Sequence, residues 1–370
     1  MPSVNLLKQI LEATQNEWDR PGTRASVRKN FRAVIDCGTP TLGWELYASD
    51  TEEKRCYHRC KSRFCPSCGY RSTLLWLEQQ EAVLPDIPYA GIVFTMPREL
   101  WNIFRQNRHL LHDLPVLGAG VIKQWIRIKY GASVLVMVVP HTFGGDLKFN
   151  SHLHILISAG GLQESSAHWI PHLPLDQEAL MRRWRYAVID HLRRALEAGV
   201  LNSDLETQEL RKLLAIAYQH PRHPKWVIFL DRITSKSHFL RYAARYVRRP
   251  PIASWRLLEV TDQEVEFVAK NTKAGQLIRT RCRLPEFVRL LAPHVPDLHR
   301  HGIRYFGLLA PKARGSNWAG LFVALGQEMK IRPPRLRWRD SLLRYFGVDP
   351  LIDNRGQEMR WIRRERAVVK

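Results

Sequence analysis

The stretch FNSHLHILIS, residues Phe149–Ser158, carries two imidazoles inside a run that is otherwise apolar and rich in isoleucine. Side chains of a β-strand point to opposite faces with a period of two. His152 and His154 therefore share one face of a predicted strand, while Leu153 and Ile155 share the other. Two adjacent imidazoles on a sheet surface are able to grip one metal ion. The alternative is a pair of half-exposed surface histidines.

The chain is strongly basic for its length of 370 residues. Lys and Arg number 57 against 35 Asp and Glu, so the formal net charge is +22 and the isoelectric point is about 10.1. Such a charge balance attracts polyanions, and nucleic acid is the first candidate. The competing partner is an anionic membrane, but the longest apolar run, ASVLVMVV, is far too short to span a bilayer.

The N-terminus and the cysteines indicate a compartment. The stretch MPSVNLLKQILEATQNEWDR lacks the basic start and apolar block of a secretory signal. We therefore expect no membrane partner and a cytoplasmic, nucleoid-associated protein of a bacterium. Six cysteines in that reducing compartment indicate metal binding rather than disulfides.

Prolines and composition divide the chain into three predicted units. Pro85 and Pro88 mark a boundary between a helical, zinc-binding and DNA-binding unit, residues 1–85, and a larger unit, residues 86–311. For the Arg-rich residues 312–370 we expect a basic C-terminal tail that orders in part on DNA. In the larger unit, strands mix with helices without regular βαβ alternation. This pattern predicts an α+β fold with a mainly antiparallel central sheet flanked by helices.

The stretch CYHRCKSRFCPSC brings four cysteines close together. Its second half, C-P-S-C, has the two-residue spacing of a zinc knuckle, whose tight turn brings both thiolates to one ion. Four soft ligands favour structural Zn²⁺ over a catalytic ion, because no position stays open for water. The alternative is a set of free buried thiols. The predicted zinc ligands are Cys56, Cys60, Cys65 and Cys68.

Two residues near these cysteines are spare zinc ligands. Either Cys37 or His58 is able to replace one of the four, and the spacing leaves that choice open. Lys61 and Arg63 lie between the predicted ligands. Because zinc would hold this basic loop rigidly, we expect both side chains to contact a DNA backbone.

The stretch HFLRYAARYVRRPP predicts a basic helix over about residues 235–249, ended by two prolines. Tyr242 and Tyr246 are four residues apart, so a helix places both hydroxyls on one face, with His238 one turn earlier. Two aromatics at this spacing are more often core residues than catalysts. A helix face this basic, however, is better suited to binding phosphates than to packing in a hydrophobic core. The arginines expected to bind DNA here are Arg241, Arg245, Arg248 and Arg249.

The tyrosines and histidines together indicate a chemistry. A tyrosine hydroxyl can attack a phosphodiester and hold the DNA end covalently, which conserves the bond energy for rejoining. The attack needs a polarised phosphate, and one divalent ion polarises it as a Lewis acid. His152 and His154 together form a candidate binding site for such an ion.

Four stretches of the chain resemble one known family. They occur in the family's order, span most of residues 31–311, and read CKSRFCPSC, HTFGGDLKFNSHLHILISAGGL, LRYAARYVRRPPIASWRL and FVRLLAPHVPDLHRHGIRYFGLLAP. With them the chain resembles the HUH-type two-tyrosine rolling-circle transposases of the insertion-sequence ninety-one family, which carry an N-terminal zinc-binding domain. The resemblance implies an HUH endonuclease domain in residues 86–311 and DNA transposase activity.

The resemblance also implies roles for individual residues. His152-Leu153-His154 would be the HUH motif, which binds Mg²⁺ or Mn²⁺. Tyr242 and Tyr246 would be the nucleophiles that cut single-stranded DNA of transposon ends and target, leaving a 5′-phosphotyrosine and a free 3′-hydroxyl.

Two metal ligands are not defined by the resemblance. The third catalytic metal ligand is either His141, at the end of the strand expected to pair with the HUH strand, or His238 on the tyrosine helix. Family members usually carry an earlier cysteine pair, whereas LYASDTEEKR holds none here, and we assume that Cys56 compensates.

Other functions compete with transposition. A plasmid rolling-circle replication initiator or a relaxase uses the same metal and tyrosine chemistry, whereas a zinc-dependent DNA-binding regulator has no chemistry at all. The sequence holds no G-x-x-x-x-G-K-[ST] loop, so we expect no fused helicase, and unwinding by a host helicase or the replication machinery. An RNA-binding module is disfavoured because no aromatic-rich RNP-like stretch occurs.

Overall fold

The computed structural model describes residues 5–219, 226–231, 233–246, 250–270 and 275–366. Its α-helices are α1 (Leu6–Ala13), α2 (Gln15–Trp18), α3 (Ala25–Asp36), α4 (Pro66–Val83), α5 (Trp101–Gln106), α6 (Arg108–Tyr130), α7 (Gln177–Glu197), α8 (Thr207–Gln219), α9 (Lys236–Ala243), α10 (Leu284–Leu291), α11 (Pro311–Ala324) and α12 (Trp338–Phe346). None of the helices in these ranges is long and apolar enough to cross a membrane.

Fourteen β-strands occur in the same ranges. They are β1 (Trp44–Ala48), β2 (Glu53–Tyr57), β3 (Tyr89–Phe94), β4 (Ala132–Ser133), β5 (Leu135–Phe143), β6 (Phe149–Ser158), β7 (Gly161–Gln163), β8 (Trp169–Ile170), β9 (Ile228–Leu230), β10 (Leu257–Val260), β11 (Glu264–Lys270), β12 (Leu277–Arg283), β13 (Arg304–Gly307) and β14 (Arg360–Glu365). Three small sheets, β14-β1-β2, β10-β11-β12 and β4-β7-β8, accompany a larger one.

The larger sheet has five strands in the order β13-β5-β6-β3-β9. Every neighbouring pair in it is antiparallel. The stretch with the two imidazoles forms β6, the middle strand, because isoleucine and leucine suit a strand that is covered on both faces. Helices pack on each face of the sheet. The α+β prediction with an antiparallel central sheet is therefore confirmed.

One face of the sheet packs against α5 to α8 and forms the main hydrophobic core. From β6 it takes Leu153, Ile155 and Ile157, all buried. Burial of each such side chain contributes about 1.5–3 kcal/mol. Trp184 of α7 is fully buried in the same core, and its indole N–H donates to the carbonyl oxygen of Thr95 (2.8 Å). The indole N–H of this buried ring is therefore paired.

The opposite face packs against α4, α9 and α11. Leu156 of β6 shares a cluster there with Phe239 of α9 and Leu321 of α11. Because side chains alternate along β6, His152 and His154 lie on the same face as Leu156. The α9 side of the sheet is therefore where the imidazoles and the tyrosine segment meet.

The N-terminal helices share a core with a much later part of the chain. Ile10 of α1 and Phe31 of α3 are fully buried in one cluster with Phe267 of β11 and Phe287 of α10. The rings of Phe267 and Phe287 meet edge to face with centroids 5.3 Å apart. Residues before the predicted boundary at 85 thus depend on residues far beyond it for their burial.

Residues beyond 311 fold back onto the N-terminal half. β14 pairs antiparallel with β1. Helix α12 contacts α4, where Arg71 Nε donates to the hydroxyl oxygen of Ser341 (2.9 Å) and the Tyr345 hydroxyl donates to Glu78. The segment predicted as a basic tail therefore contains α11, α12 and β14. The division of the chain into three units remains a prediction.

Gly307, the last residue of β13, cannot take a side chain without strain. Its φ is +58°, and a Cβ there would lie 2.1 Å from the carbonyl oxygen of Val134. We expect Gly307→Ala to lower the free energy of unfolding by about 2 kcal/mol or more, because alanine meets both a left-handed backbone and a fixed carbonyl. Thermal melting measures this loss.

Gly120, on the exposed side of α6, provides the matched control. Nothing lies within 4 Å of a Cβ built on it. Gly120→Ala should stabilise the protein by up to about 1 kcal/mol, because alanine is the better helix former. Equal melting temperatures for the two variants would contradict the expected role of Gly307.

Candidate active site

Two paired strands build a cluster of three histidines. In the β5–β6 pair, His141 lies directly opposite His152, and Val139 lies opposite His154. Opposed side chains of an antiparallel pair lie close together on one face. The ring centroid of His141 is therefore 5.5 Å from that of His152 and 4.8 Å from that of His154. One nitrogen from each ring lies within 4.8 Å of the other two.

Hydrogen bonds orient two of these rings. His152 Nδ1 donates to the carbonyl oxygen of Asn150 (2.8 Å), and His141 Nε2 donates to that of Tyr246 (2.9 Å). Since a carbonyl only accepts, the free lone pairs lie on His152 Nε2 and His141 Nδ1. His152 Nε2 is 3.2 Å from His154 Nε2. Two nitrogens bound at right angles to one ion lie about 3 Å apart. The three rings therefore fit one metal ion.

Burial keeps these imidazoles neutral. It lowers the pKa of His141 to about 3, and it also lowers the pKa values of His152 and His154. The neutral imidazole is the form that binds a metal ion. Within the described residues, the buried Nδ1 of His154 has no hydrogen-bond partner. The site thus disfavours protonation of the rings and keeps their lone pairs available.

The helix that carries the tyrosines is shorter than predicted. α9 ends at Ala243, and the N–H groups of Arg245 and Tyr246 donate to carbonyl oxygens three residues back instead of four. The chain tightens at this point from an α-helix into turns. Tyr242 therefore lies in α9, whereas Tyr246 lies in the turn that follows. That turn is what brings the Tyr246 carbonyl to His141.

Tyr246 lies directly on the histidine cluster. Its ring stacks on that of His154, with centroids 3.7 Å apart and an interplanar angle of 22°. Its carbonyl oxygen accepts the hydrogen bond from His141. Ring and backbone of one tyrosine are thus both fixed against candidate metal ligands.

Tyr242 has a different environment. Its ring centroid is 5.0 Å from that of Tyr246, and the Asp231 carboxylate lies beside its ring. Burial first, and then the nearby Asp231 carboxylate and Tyr246, raise the pKa of Tyr242. Gly91 of β3 leaves room for this contact, because a Cβ there would lie 2.5 Å from Asp231 Oδ2. Asp231 therefore lies where it can accept the proton of the Tyr242 hydroxyl.

Sequence reasoning does not single out Asp231 or Gly91. Asp231 directly follows β9, and its backbone N–H donates to the carbonyl oxygen of Gly91 (2.8 Å). The available signal is an acidic residue at the end of the apolar run KWVIFLD. Its closeness to Tyr242 depends on the pairing of β3 with β9 and on the packing of α9 against the sheet.

Of the two candidates for the third ligand, the structure brings His141 and not His238 to the pair of His152 and His154. α9 buries Phe239 and Leu240 against the sheet, and this orientation leaves His238 exposed to solvent. His141 itself contacts the tyrosine segment, through its hydrogen bond to the carbonyl oxygen of Tyr246.

The residues predicted to bind DNA lie on two surfaces. Arg241 of α9 and Arg245 of the following turn are exposed. Lys61 is also exposed, with φ = +55° in the turn between the cysteines, and Arg63 donates to the carbonyl oxygen of Arg300 (3.2 Å). The two remaining predicted residues lie outside the described ranges; they are Arg248 and Arg249.

Four cysteine sulfurs form a second cluster, away from the histidines. Cys37 Sγ lies 3.7 Å from that of Cys68 and 3.8 Å from that of Cys65, and Cys60 Sγ lies 3.7 Å from that of Cys68. A tetrahedral zinc ion with Zn–S bonds of about 2.3 Å separates its sulfurs by about 3.8 Å. The cluster therefore fits a structural zinc ion with no position left for water.

This cluster corrects the ligand set predicted from spacing, because Cys37 takes the place expected for Cys56. Cys37 follows α3, and its Sγ accepts from the backbone N–H of Cys60 (3.5 Å). The other spare ligand, His58, hydrogen-bonds to Glu45 instead. Cys56 lies within the extended strand β2, which carries its thiol away from the cluster and against Tyr47, Leu351 and Met359.

Comparison with known proteins identifies the family. The family described as "Transposase zinc-binding domain" matches residues 7–96, and the one described as "Putative transposase" matches residues 136–317. The "Transposase for insertion sequence element IS801" of Pseudomonas savastanoi pv. phaseolicola is 30% identical over 359 residues, which cover 93% of this chain and 86% of the relative. The chain belongs to the IS91 family of transposases.

This IS91-family transposase has a second relative of similar likeness. "Putative transposase y4qJ" of Sinorhizobium fredii is 30% identical over 319 residues, which cover 82% of this chain and 79% of the relative. No solved structure matches the chain significantly. The family resemblance read from four motifs, with its N-terminal zinc-binding domain, is thus confirmed.

The cysteine cluster makes a prediction about zinc content. Cys37→Ser should lose most of the bound zinc and melt at a lower temperature. Only three thiolates would remain to hold the ion, which links α3 to the start of α4. Cys56→Ser, the matched control, should retain one zinc ion per protein chain. Plasma mass spectrometry of the purified variants measures the metal. Loss of zinc from Cys56→Ser alone would restore the ligand set expected from spacing.

Proposed function

We propose that this transposase nicks and rejoins single-stranded DNA at the ends of an insertion sequence through a 5′-phosphotyrosine intermediate, in a rolling-circle type of transposition. The supporting observation is the contact between the tyrosine segment and the histidine cluster. Tyr246 stacks on His154 and accepts a hydrogen bond from His141. A candidate nucleophile and the candidate ligands of a metal ion thus share one site, which is what an HUH endonuclease requires.

The metal of this proposal is Mg²⁺ or Mn²⁺, with His141, His152 and His154 as its ligands. When bound, the ion polarises the scissile phosphate. The chain itself supplies neutral rings, and the carbonyls of Asn150 and Tyr246 orient two of them. The zinc of the cysteine cluster has a structural role only.

The proposed reaction exchanges one phosphodiester for another. A tyrosine oxygen attacks the phosphorus, the bond from phosphorus to the 3′-oxygen breaks, and the fragment that keeps the 5′-phosphate becomes joined to the tyrosine. The hydroxyl proton passes to a base, and the 3′-oxygen takes up a proton as it leaves. Attack by the 3′-hydroxyl of another strand reverses these bond changes, rejoins the DNA and frees the tyrosine.

The two tyrosines have separable roles in this proposal. Asp231 lies beside Tyr242 and accepts the proton when Tyr242 attacks. Tyr246 lies nearest to the candidate metal ligands, with its ring on His154. One tyrosine attacks the first DNA end, and the other receives the second end while the first is still occupied.

The proposed partner is single-stranded DNA of transposon ends and target in the bacterial cytoplasm. Arg241 and Arg245 stand exposed beside the tyrosines and would bind phosphates. A host helicase would supply the single strands. A replication initiator or relaxase would use the same chemistry, but similarity to the IS801 transposase along most of its length favours transposition.

The tyrosine proposal predicts a covalent adduct. Incubation with labelled single-stranded DNA from an element end and Mg²⁺ should give a product that survives denaturation. The Tyr242→Phe, Tyr246→Phe double variant should give none, because no hydroxyl remains to attack. Each single variant should keep partial adduct formation but lose full transposition. Denaturing gels measure the adduct.

Three controls accompany this test. Tyr186→Phe, at an exposed tyrosine of α7, should react like the parent. EDTA should abolish the adduct while the measured zinc content stays constant. His154→Ala should bind the DNA but not react, because binding is spread over many phosphates. DNA binding without any adduct on correct ends would favour a regulator without catalysis.

Asp231 makes a prediction about rate and pH. In the Tyr246→Phe background, where Tyr242 is the remaining nucleophile, Asp231→Asn should slow adduct formation about 100-fold or more, because an amide cannot take the proton. The loss should shrink as pH rises, since hydroxide then removes the proton. In the Tyr242→Phe background the same substitution should have little effect. Equal slowing in both backgrounds would show that Asp231 only supports the fold.

A further inference from the structure

A cavity of about 280 Å³ opens beside the histidine cluster. Its walls come from the turn at Arg63 and Phe64, from α6, from the end of β5, and from residues 296–304. His141 and Tyr246 also line it, so the cavity and the candidate metal centre are neighbours. The chemistry proposed above does not use this space.

The cavity lining combines apolar surface with cations. Its apolar members include Phe64, Leu111, Val139 and Pro140. Its arginines are Arg63, Arg108, Arg300 and Arg304. Among the lining residues that the structure describes, Asp297 is the one acid. An apolar surface beside arginines is the combination with which proteins hold a base and its phosphate.

Asp297 fixes part of this wall. Its carboxylate accepts hydrogen bonds from Arg108 Nε (2.6 Å) and His112 Nε2 (2.8 Å), and it also pairs with Arg24 of the segment before α3. Burial raises the pKa of Asp297, but Arg108, Arg24 and His112 together outweigh burial and lower it. Two arginines thus share one ionised carboxylate, so this group keeps a net positive charge. Arg300 and Arg304 add to the positive charge of the lining.

The segment from His299 to Gly302 is locked against the zinc-binding turn. His299 has φ = +59°, a strained conformation for a residue with a side chain. Arg63 donates to the carbonyl oxygen of Arg300 (3.2 Å) and lies where a Cβ of Gly302 would be, 1.9 Å from one of its Nη atoms. The mouth of the cavity is therefore pre-formed, which reduces the entropy lost when a ligand binds.

We propose that this cavity receives one nucleotide of the single-stranded substrate, next to the phosphate that is cut. This inference rests on the proposed function, because the neighbouring phosphate has to reach the histidine cluster. The cavity is close to the lower limit of small-ligand sites, about 300 Å³, which suits one nucleotide and excludes a base pair. The base packs on the apolar lining, and the arginines bind its phosphate.

A binding scan with abasic positions tests the cavity. Labelled single-stranded DNA from an element end is bound without divalent ion, so that affinity is measured without cleavage. One abasic site is placed at each position around the cut in turn. Affinity should fall about tenfold at one position beside the cut, because a stacked base is lost. Fluorescence anisotropy measures each affinity.

Two variants link that position to the cavity. Leu111→Trp fills the space beside the apolar lining, so it should bind intact DNA about as weakly as the parent binds the abasic strand. The affinity of this variant should not depend on where the abasic site is placed. Arg300→Gln should weaken binding more than Arg211→Gln, which removes the same charge from the exposed side of α8. If Leu111→Trp does not fold, the Arg300 comparison alone decides.

The outcomes separate this inference from the proposed function. A flat scan in the parent, or equal effects of the two arginine variants, overturns the cavity assignment even where the covalent adduct forms. Conversely, absence of any adduct in Mg²⁺ removes the proposed chemistry. A position-specific abasic effect lost in Leu111→Trp supports the nucleotide site.

Discussion

The antiparallel pairing of β5 with β6 is the constraint on which the candidate active site depends. This register places His141 opposite His152, and the alternation of β6 adds His154 to the same face. A shift of one residue would turn β6 over and exchange the imidazoles for the core residues Leu153 and Ile155. The hydrophobic core on the other face therefore holds the candidate metal ligands in position.

The tyrosine segment meets this cluster because two different interactions reinforce each other. α9 buries an apolar face against the sheet, and the turn after it delivers the Tyr246 carbonyl to His141. Strand β9 ends beside the same helix and supplies Asp231. Neutral imidazole rings, one carboxylate and two hydroxyls thus come together from four separate stretches of chain, which is typical of catalytic sites held by a rigid scaffold.

The zinc cluster is connected to this site through packing. Cys65 and Phe64 belong to the core that α1 and α3 share with β11 and α10. Phe64 and its neighbour Arg63 also line the cavity beside the histidines. The zinc-binding part of the chain is therefore structurally continuous with the candidate active site. Loss of zinc would displace residues that line the cavity.

Local patterns were enough for the pairing of His152 with His154 on one strand face, for the cysteine turn and for the α+β class, because strand alternation and ligand spacing are short-range properties. The fourth sulfur was misassigned to Cys56, since spacing carries no information on where β2 points a side chain or that the end of α3 returns Cys37 to the cluster. The choice of His141 over His238, the early end of α9, and the contact of Asp231 with Tyr242 depended on strand register and helix packing. These bring together residues far apart in the chain, and only the folded chain defines such distances.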